Sequence, residues 1–559
     1  MTSHDGRFTI VFNGEIYNYI EIREELLKRG ARFTSSSDTE VILEAWRAWG
    51  AECLPRFRGM FAFVLHDEVA RTVVLARDHF GKKPLFLAER QTPSGPVLVF
   101  GSEISALLAH PQVDTELDVE TLYQYLCWRY APGPHTFFRG IRKLQPGSFL
   151  TWQDGLMKTQ RYWTAPEETA QCRKPPADPI AAFLDVFDEA VRLRRRADVP
   201  LGAFLSGGLD SAAIVATLAH LGAPDLRTFS IGFRDDPASE LTAAAETAGE
   251  IGTTHTSLEL AANDLTDLLP MLSRHRGAPI TEPADLPIYL LSVEAAKHVK
   301  VVLSGEGADE MFAGYPKHLV ERHLGHLAGP GVLSVAGHAL LIATSPAPAA
   351  ARRLRIASRA MRARRFDERM ILWFGAITPV ERSRVWIGPS VSRQPDTRPF
   401  TPAPGSTSLR RVLHFDQTSW LPDNLLERMD MMTMAASIEA RAPFMDVQLA
   451  EFASTLPDSY RIKGRVTKRI VREALAPRLP QSVLARRKNG FRMPVTEWFR
   501  GPLRDSAREL LLSPDSISSP YLDRATVALY LDEHANGQQN HEKTLWALFA
   551  LETFLREFF

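Results

Sequence analysis

Between Phe8 and Trp163, apolar residues come in short runs broken by turn-forming positions: FTIVF at 8–12, then GMFAFVLHD, TVVLARD, PLFLAE and VLVFGSE. Runs of this length bounded by Gly, Pro and Asp read as strands. Helical spacing replaces them over Tyr19–Arg29 and Asp38–Trp49. Asp5-Gly6 marks a tight turn just before the first strand, and almost no chain precedes that turn. The expectation is a hairpin arm without its partner strand.

After Trp163, APEETAQCRKPPADP has the Pro-rich, mixed-charge composition of a linker, placed at 166–180. From Ile180 the texture changes: GAFL, TFSIGF and VKVVLS alternate with helical stretches, which predicts a parallel sheet with right-handed crossovers. Beyond Met311 the pattern is mostly helical, broken by a Pro/Ser-rich loop from Ile387 to Ser408. The fold class is therefore α/β, with an N-terminal part at 1–165 and a C-terminal part at 181–559.

Charge narrows the partners. Lys+Arg and Asp+Glu both total 66, so the net charge is zero and no global field draws nucleic acid or an anionic membrane. The uncharged run His323–Ala351 is interrupted by His, Pro, Ser and Gly, so a membrane span is not expected. The seven arginines between Arg352 and Arg365 read as a solvated helix face. Cys53, Cys127 and Cys172 are too few and too scattered for a disulfide framework or zinc cluster, and fit a reducing cytoplasm.

The chemistry concentrates in two stretches. In VPLGAFLSGGLDSAAIVATLAHLG, a strand over Leu201–Leu205 meets the turn Ser206-Gly207-Gly208 and a helix from Leu209 to Leu221. Two glycines let a ligand approach the backbone, and the helix start offers free N–H groups to an anion such as a polyphosphate. No lysine follows the glycines as in a Walker loop; Asp210 stands there instead, which suits a magnesium ion between carboxylate and phosphate. In VVLSGEGADEMFAGY, a buried strand carries Ser304, Gly305, Glu306, Asp309 and Glu310 to its carboxyl end, where open α/β sheets bind ligands. Three carboxylates in five residues call for a cation or a substrate ammonium.

SGGLDS resembles the pyrophosphate loop of N-type ATP pyrophosphatases, and the chain resembles the glutamine-dependent asparagine synthetases over nearly its whole length. The resemblance implies an ATP pyrophosphatase domain with a helical C-terminal part, preceded by an incomplete Ntn-type α+β glutaminase sandwich. It implies ATP contacts at Phe204, Leu205, Ser206, Gly207, Gly208, Asp210, Ser211, Ile231, Ser304 and Gly305. Magnesium falls to Asp210 and Asp309, acyl-adenylate chemistry to Glu306, and neutralisation of the leaving pyrophosphate to Lys468. In LPDNLLERMDMMTMAASIEARAPFMD, Asp430, Glu439, Arg441 and Asp446 match the family signature, while Met429, Met431, Met432 and Met434 read as core packing.

In FNGEIYNY, Asn13 and Gly14 match the glutaminase oxyanion hole, and Glu15 with Asp38 match the residues that hold the glutamine α-amine. The family's mature chain opens with a nucleophilic cysteine, whereas positions 1 and 2 here are Met and Thr. The expectation is a start codon assigned too late, in preference to a true truncation using free ammonia. Substrates implied are ATP, glutamine or ammonia, and aspartate or another carboxylate; a homodimer is compatible with this. One departure bears on the carboxylate: the segment APITEPADLPIYLLS puts Glu282 and Asp285 where they would repel an anionic acceptor unless paired. The alternative is thus a relative acting on another acid, as in β-lactam, lasso-peptide or surface-glycan pathways. A non-catalytic scaffold would not keep Asp210, Glu306, Asp309 and Lys468 together.

Overall fold

The computed structural model describes residues 1–168, 174–223, 225–233, 239–260, 266–324, 359–360, 363, 366–393, 406–486 and 493–559. Cys172, most of the arginine cluster at 352–365, most of the uncharged run at 323–351 and the loop centre at 394–405 lie outside them.

The N-terminal half is built on two antiparallel sheets. Strands β1 (Phe8–Ile16), β2 (Gly59–Asp67), β3 (Thr72–Arg77), β4 (Phe86–Thr92), β5 (Gly95–Gly101), β6 (Arg142–Lys143), β7 (Ser148–Gln153) and β8 (Leu156–Arg161) pair in the orders β1-β2-β3-β7-β8 and β5-β4-β6. Ala62, Val64, Leu75, Leu85, Leu87, Leu144 and Leu150 fill the space between the sheets. The helices Tyr19–Lys28 and Asp38–Trp49 cover the opposite face of the larger sheet through Ile22, Leu26, Val41 and Ile42, which meet Phe8, Ile10 and Phe63. This is the α+β sandwich expected, with both helices where their apolar spacing placed them.

The first strand is not wholly without a partner. Met1 and Ile10 exchange backbone hydrogen bonds at 2.9 and 2.8 Å, Thr2 bridges Thr9, and Gly6 takes φ +73° in the turn between them. From Val11 onward the outer edge of β1 pairs with no strand among the described residues.

The C-terminal half carries a parallel five-stranded sheet, β11-β10-β9-β12-β13, from β9 (Leu201–Phe204), β10 (Arg227–Phe233), β11 (Thr254–Leu260), β12 (Val301–Leu303) and β13 (Glu439–Arg441). Three of these follow from the apolar runs in the sequence; β11 and β13 do not. Strand β11 is half exposed along its length, and β13 is only three residues long, so neither has a distinct apolar signature. Because β9 sits mid-sheet between β10 and β12, the loops after β9 and β12 open on the same edge side by side.

Two of the four methionines expected in the core, Met431 and Met432, pack there fully; Met429 is buried and also reaches the cavity described below, while Met434 is 41% exposed. Asp430, Arg441 and Asp446 join the two halves. Asp430 accepts from Lys83 at 2.8 Å, Arg441 pairs with Glu439 at 2.6 Å and Glu15 at 3.4 Å, and Asp446 takes Arg194 and Arg58, each at 2.9 Å. No helix among the described residues is long and apolar enough to cross a membrane.

Candidate active site

A cavity of about 560 Å³ opens at the carboxyl edge of β9 and β12. Its wall gathers Phe204, Leu205, Ser206, Gly207, Gly208, Asp210, Ser211, Ile231, Ser304, Gly305, Glu306, Asp309 and Lys468. Every position singled out for ATP, metal and acyl chemistry from the sequence is thus in one place.

The loop after β9 holds its own shape. Ser211 Oγ accepts from the Ser206 amide at 3.0 Å, and the Ser206 hydroxyl accepts from the Gly208 amide at 3.2 Å. Behind it, Arg486 donates to the Gly207 carbonyl at 3.1 Å. A β-carbon on Gly207 would lie 2.7 Å from Ala243, and one on Gly305 would lie 2.9 Å from Asp210, so both glycines permit close packing of the loops. The helix Leu209–His220 points its N-terminus into the cavity.

Lys468 stands just outside a helix. It precedes the helix Arg469–Leu475 with φ +50°, a conformation costly for a residue with a side chain. That backbone turns its ammonium to within 2.5 Å of Asp210 and 2.7 Å of Asp309. Burial alone would lower the lysine's pKa; the two carboxylates outweigh it and hold Lys468 above its usual range. Gly314 leaves room for this cluster, since a β-carbon there would overlap both Asp309 and the Lys468 stem.

The three acids of the second loop are partnered separately. Asp309 faces Lys468, Glu306 faces Arg428 at 3.5 Å, and buried Glu310 accepts from the Tyr315 hydroxyl at 2.6 Å. Burial, then the neighbouring Asp309 and Asp416, push the Glu310 carboxyl up. Ser304 Oγ is buried and has no hydrogen-bond partner among the described residues, leaving a polar atom for a ligand to satisfy.

The sequence raised repulsion by Glu282 and Asp285, and the structure supplies their counter-ions. Glu282 pairs with Arg129 at 2.8 Å; Asp285 pairs with Arg276 at 2.8 Å and Arg428 at 3.5 Å. Burial pushes Asp285 up to about 6, with both arginines pulling it back. Arg428 was missed from the sequence, although a cation inside the apolar run of LLERMDMM is itself a signal.

The second candidate site lies along β1. Asn13 donates to Ser102 Oγ at 3.0 Å, and Gly14 crosses β2 so closely, at φ +148°, that a β-carbon would overlap the Met60 carbonyl. Asp38 accepts from the Ile16 amide at 2.9 Å, beside Glu15. Burial pushes both carboxyls up, Glu15 to about 7 against the pull of Arg441. Cys53 and Cys127 are buried, and burial raises both thiols, Cys127 to about 12. Neither is an activated nucleophile.

Comparison with known families matches residues 182–556 to asparagine synthase and residues 1–163 to a glutamine amidotransferase domain. The glutamine-hydrolysing asparagine synthetase 1 of Bacillus subtilis is 32% identical, over 98% of this chain and 85% of its own length. Synthetase 3 of the same organism is 30% identical over 92% and 80%. The amidase chyE of Penicillium rubens is 25% identical over 93% and 82%.

Proposed function

Because the chain belongs to the asparagine synthetase family, we propose that it forms an amide by activating a carboxylate, most simply that of aspartate, as an acyl-adenylate with ATP. The observation that carries this reading is the Asp210–Lys468–Asp309 cluster set between the Ser206-Gly207-Gly208 loop and Glu306.

The chemistry divides among these groups. An oxygen of the acceptor carboxylate attacks the α-phosphorus of ATP, the bond to the bridging oxygen breaks, and pyrophosphate leaves. Lys468 and the helix N-terminus at Leu209 meet the charge that builds on it. Ammonia then attacks the acyl carbon and AMP departs, with Glu306 placed to take a proton from the attacking nitrogen. Asp210 and Asp309 are the carboxylates that would hold a magnesium ion, which would supply charge neutralisation there. The apolar wall, with Ile231, Pro287 and Leu291, suits a purine.

The nitrogen comes from glutamine at the Asn13–Asp38 site or from ammonia directly. A second reading keeps the chemistry and changes the acceptor. The amidase relative, 25% identical over 93% of this chain, is what favours it; the acidic segment does not, because Glu282 and Asp285 both have arginine partners.

The test is acid-dependent exchange of labelled pyrophosphate into ATP, with ammonia supplied for product formation so that the β1 site is not needed. Aspartate is expected to support exchange and yield asparagine. Exchange with other acids but none with aspartate replaces the first reading by the second; none with any acid removes both.

A further inference from the structure

Arg129 departs from a local rule. It closes the helix Val119–Trp128 at φ +71°, a left-handed cap that glycine adopts freely and a side-chain-bearing residue adopts at a cost. Such an outlier persists where surrounding contacts hold it. Here the side chain, 11% exposed, ties three distant segments together. Its Nη1 pairs with Glu282 at 2.8 Å, its Nε donates to the Phe374 carbonyl at 2.5 Å, and its guanidinium lies 5.1 Å over the Trp420 ring. Trp420 belongs to a π-helix, Asp416–Leu426, a rare form concentrated at functional sites.

Glu282 leads directly to the cavity. Its carbonyl accepts from the Asp285 amide at 2.9 Å, opening the helix Asp285–Ala295 whose Pro287, Ile288 and Leu291 form the cavity wall. Asp285 holds Arg428, and Arg428 faces Glu306. Glu282 lies near enough to act electrostatically on both Asp285 and Arg428. Left without a counter-ion, it would add an uncompensated negative charge beside Asp285 and Arg428.

We propose that Arg129, a residue of the N-terminal half, is a positioning residue of the acceptor pocket: it neutralises Glu282 and fixes the 281–285 segment, so that Arg428 stands beside Glu306 and an anionic acceptor is admitted. The inference rests on the reading of this cavity as the site of carboxylate activation. It makes the amidotransferase-like half a structural part of the acceptor pocket, independent of any nitrogen it delivers.

Arg129→Gly suits the backbone and removes only the side chain, so the variant is expected to fold. In pyrophosphate exchange with the full chain, it should raise KM for the acid about tenfold or more, with KM for ATP moving less than about twofold. Arg129→Lys should keep most of the acid affinity, and Glu282→Gln added to Arg129→Gly should restore it, because no uncompensated charge remains. An unchanged acid KM in Arg129→Gly, an equal rise in KM for ATP, or no rescue by Glu282→Gln would overturn the proposal. If the parent chain shows no exchange with any acid, the reading of the cavity fails. The tie from Arg129 to the 281–285 segment is then judged separately by a thermal-unfolding double-mutant cycle of Arg129→Gly with Glu282→Gln: coupling sustains that tie, and additivity overturns it.

Discussion

The two candidate sites hold their carboxylates in opposite ways. In the cavity, Asp210 and Asp309 close on one ammonium supplied by the same half of the chain, and that lysine is driven further into its charged form. Along β1, Glu15 and Asp38 are both pushed toward the neutral form, and the cation reaching Glu15 is Arg441, 3.4 Å away in the other half and already engaged by Glu439 at 2.6 Å. A cluster balanced within one half depends on local packing. One balanced across the seam depends on how the halves dock.

The largest effect should come from breaking the balanced cluster. Lys468→Met keeps the side-chain bulk, removes the charge, and leaves Asp210 and Asp309 facing each other beside the phosphate loop. Exchange should fall about 10²–10³-fold, the usual loss when a donor to developing charge is removed. A fall below tenfold would mean that the helix N-terminus does most of that work and that Lys468 is chiefly structural.

A smaller effect should follow at the seam. Asp446 is fully buried and takes both Arg58 of the N-terminal half and Arg194. Burial alone would raise its pKa, but the two arginines overcome this and hold it below the usual carboxylate range. Asp446 also caps the helix Val447–Thr455 by accepting from Gln448 at 3.0 Å, a bond that asparagine can keep. Asp446→Asn therefore isolates the charge, and should cost about 3 kcal/mol in urea unfolding because the buried Arg194 guanidinium loses its counter-ion and Arg58 is left with Glu189, 3.6 Å away. A cost under about 1 kcal/mol would place the adhesion of the halves in their apolar contacts instead.

These contrasts also mark what the chain reveals before it folds. The SGGLDS loop is legible because strand, glycines and helix are consecutive, so its local pattern and its place at the sheet edge coincide. Lys468 is legible only by resemblance: it looks like one more helical lysine, and its φ of +50° exists because Asp309 and Asp210 arrive from 159 and 258 positions away along the chain. Glu282 and Asp285 read as repulsive because their partners Arg129, Arg276 and Arg428 share no local pattern with them. Strand β8, LMKTQR, is exposed throughout and has no buried face to produce an apolar rhythm. Pairing between distant segments hid the charged clusters, and the lack of a buried face hid β8.

The smallest effect distinguishes the two sites most finely, through pH. Glu15 is raised from an ordinary value near 4.5 to about 7, with burial as the main cause. Its folded form holds a proton that the unfolded chain releases, so this group's contribution to stability is greatest below pH 4.5 and declines as pH rises toward 7. Its side chain is 35% exposed, and water screens part of the penalty, which leaves about 1 kcal/mol. Glu15→Gln should remove that decline: the variant should match the parent near pH 4.5 and exceed it by about 1 kcal/mol above pH 7 in chemical denaturation. A variant less stable than the parent at pH 7 would show that the pair with Arg441 outweighs the burial of Glu15. The β1 site would then be as well balanced as the cavity, with its counter-charge drawn across the seam.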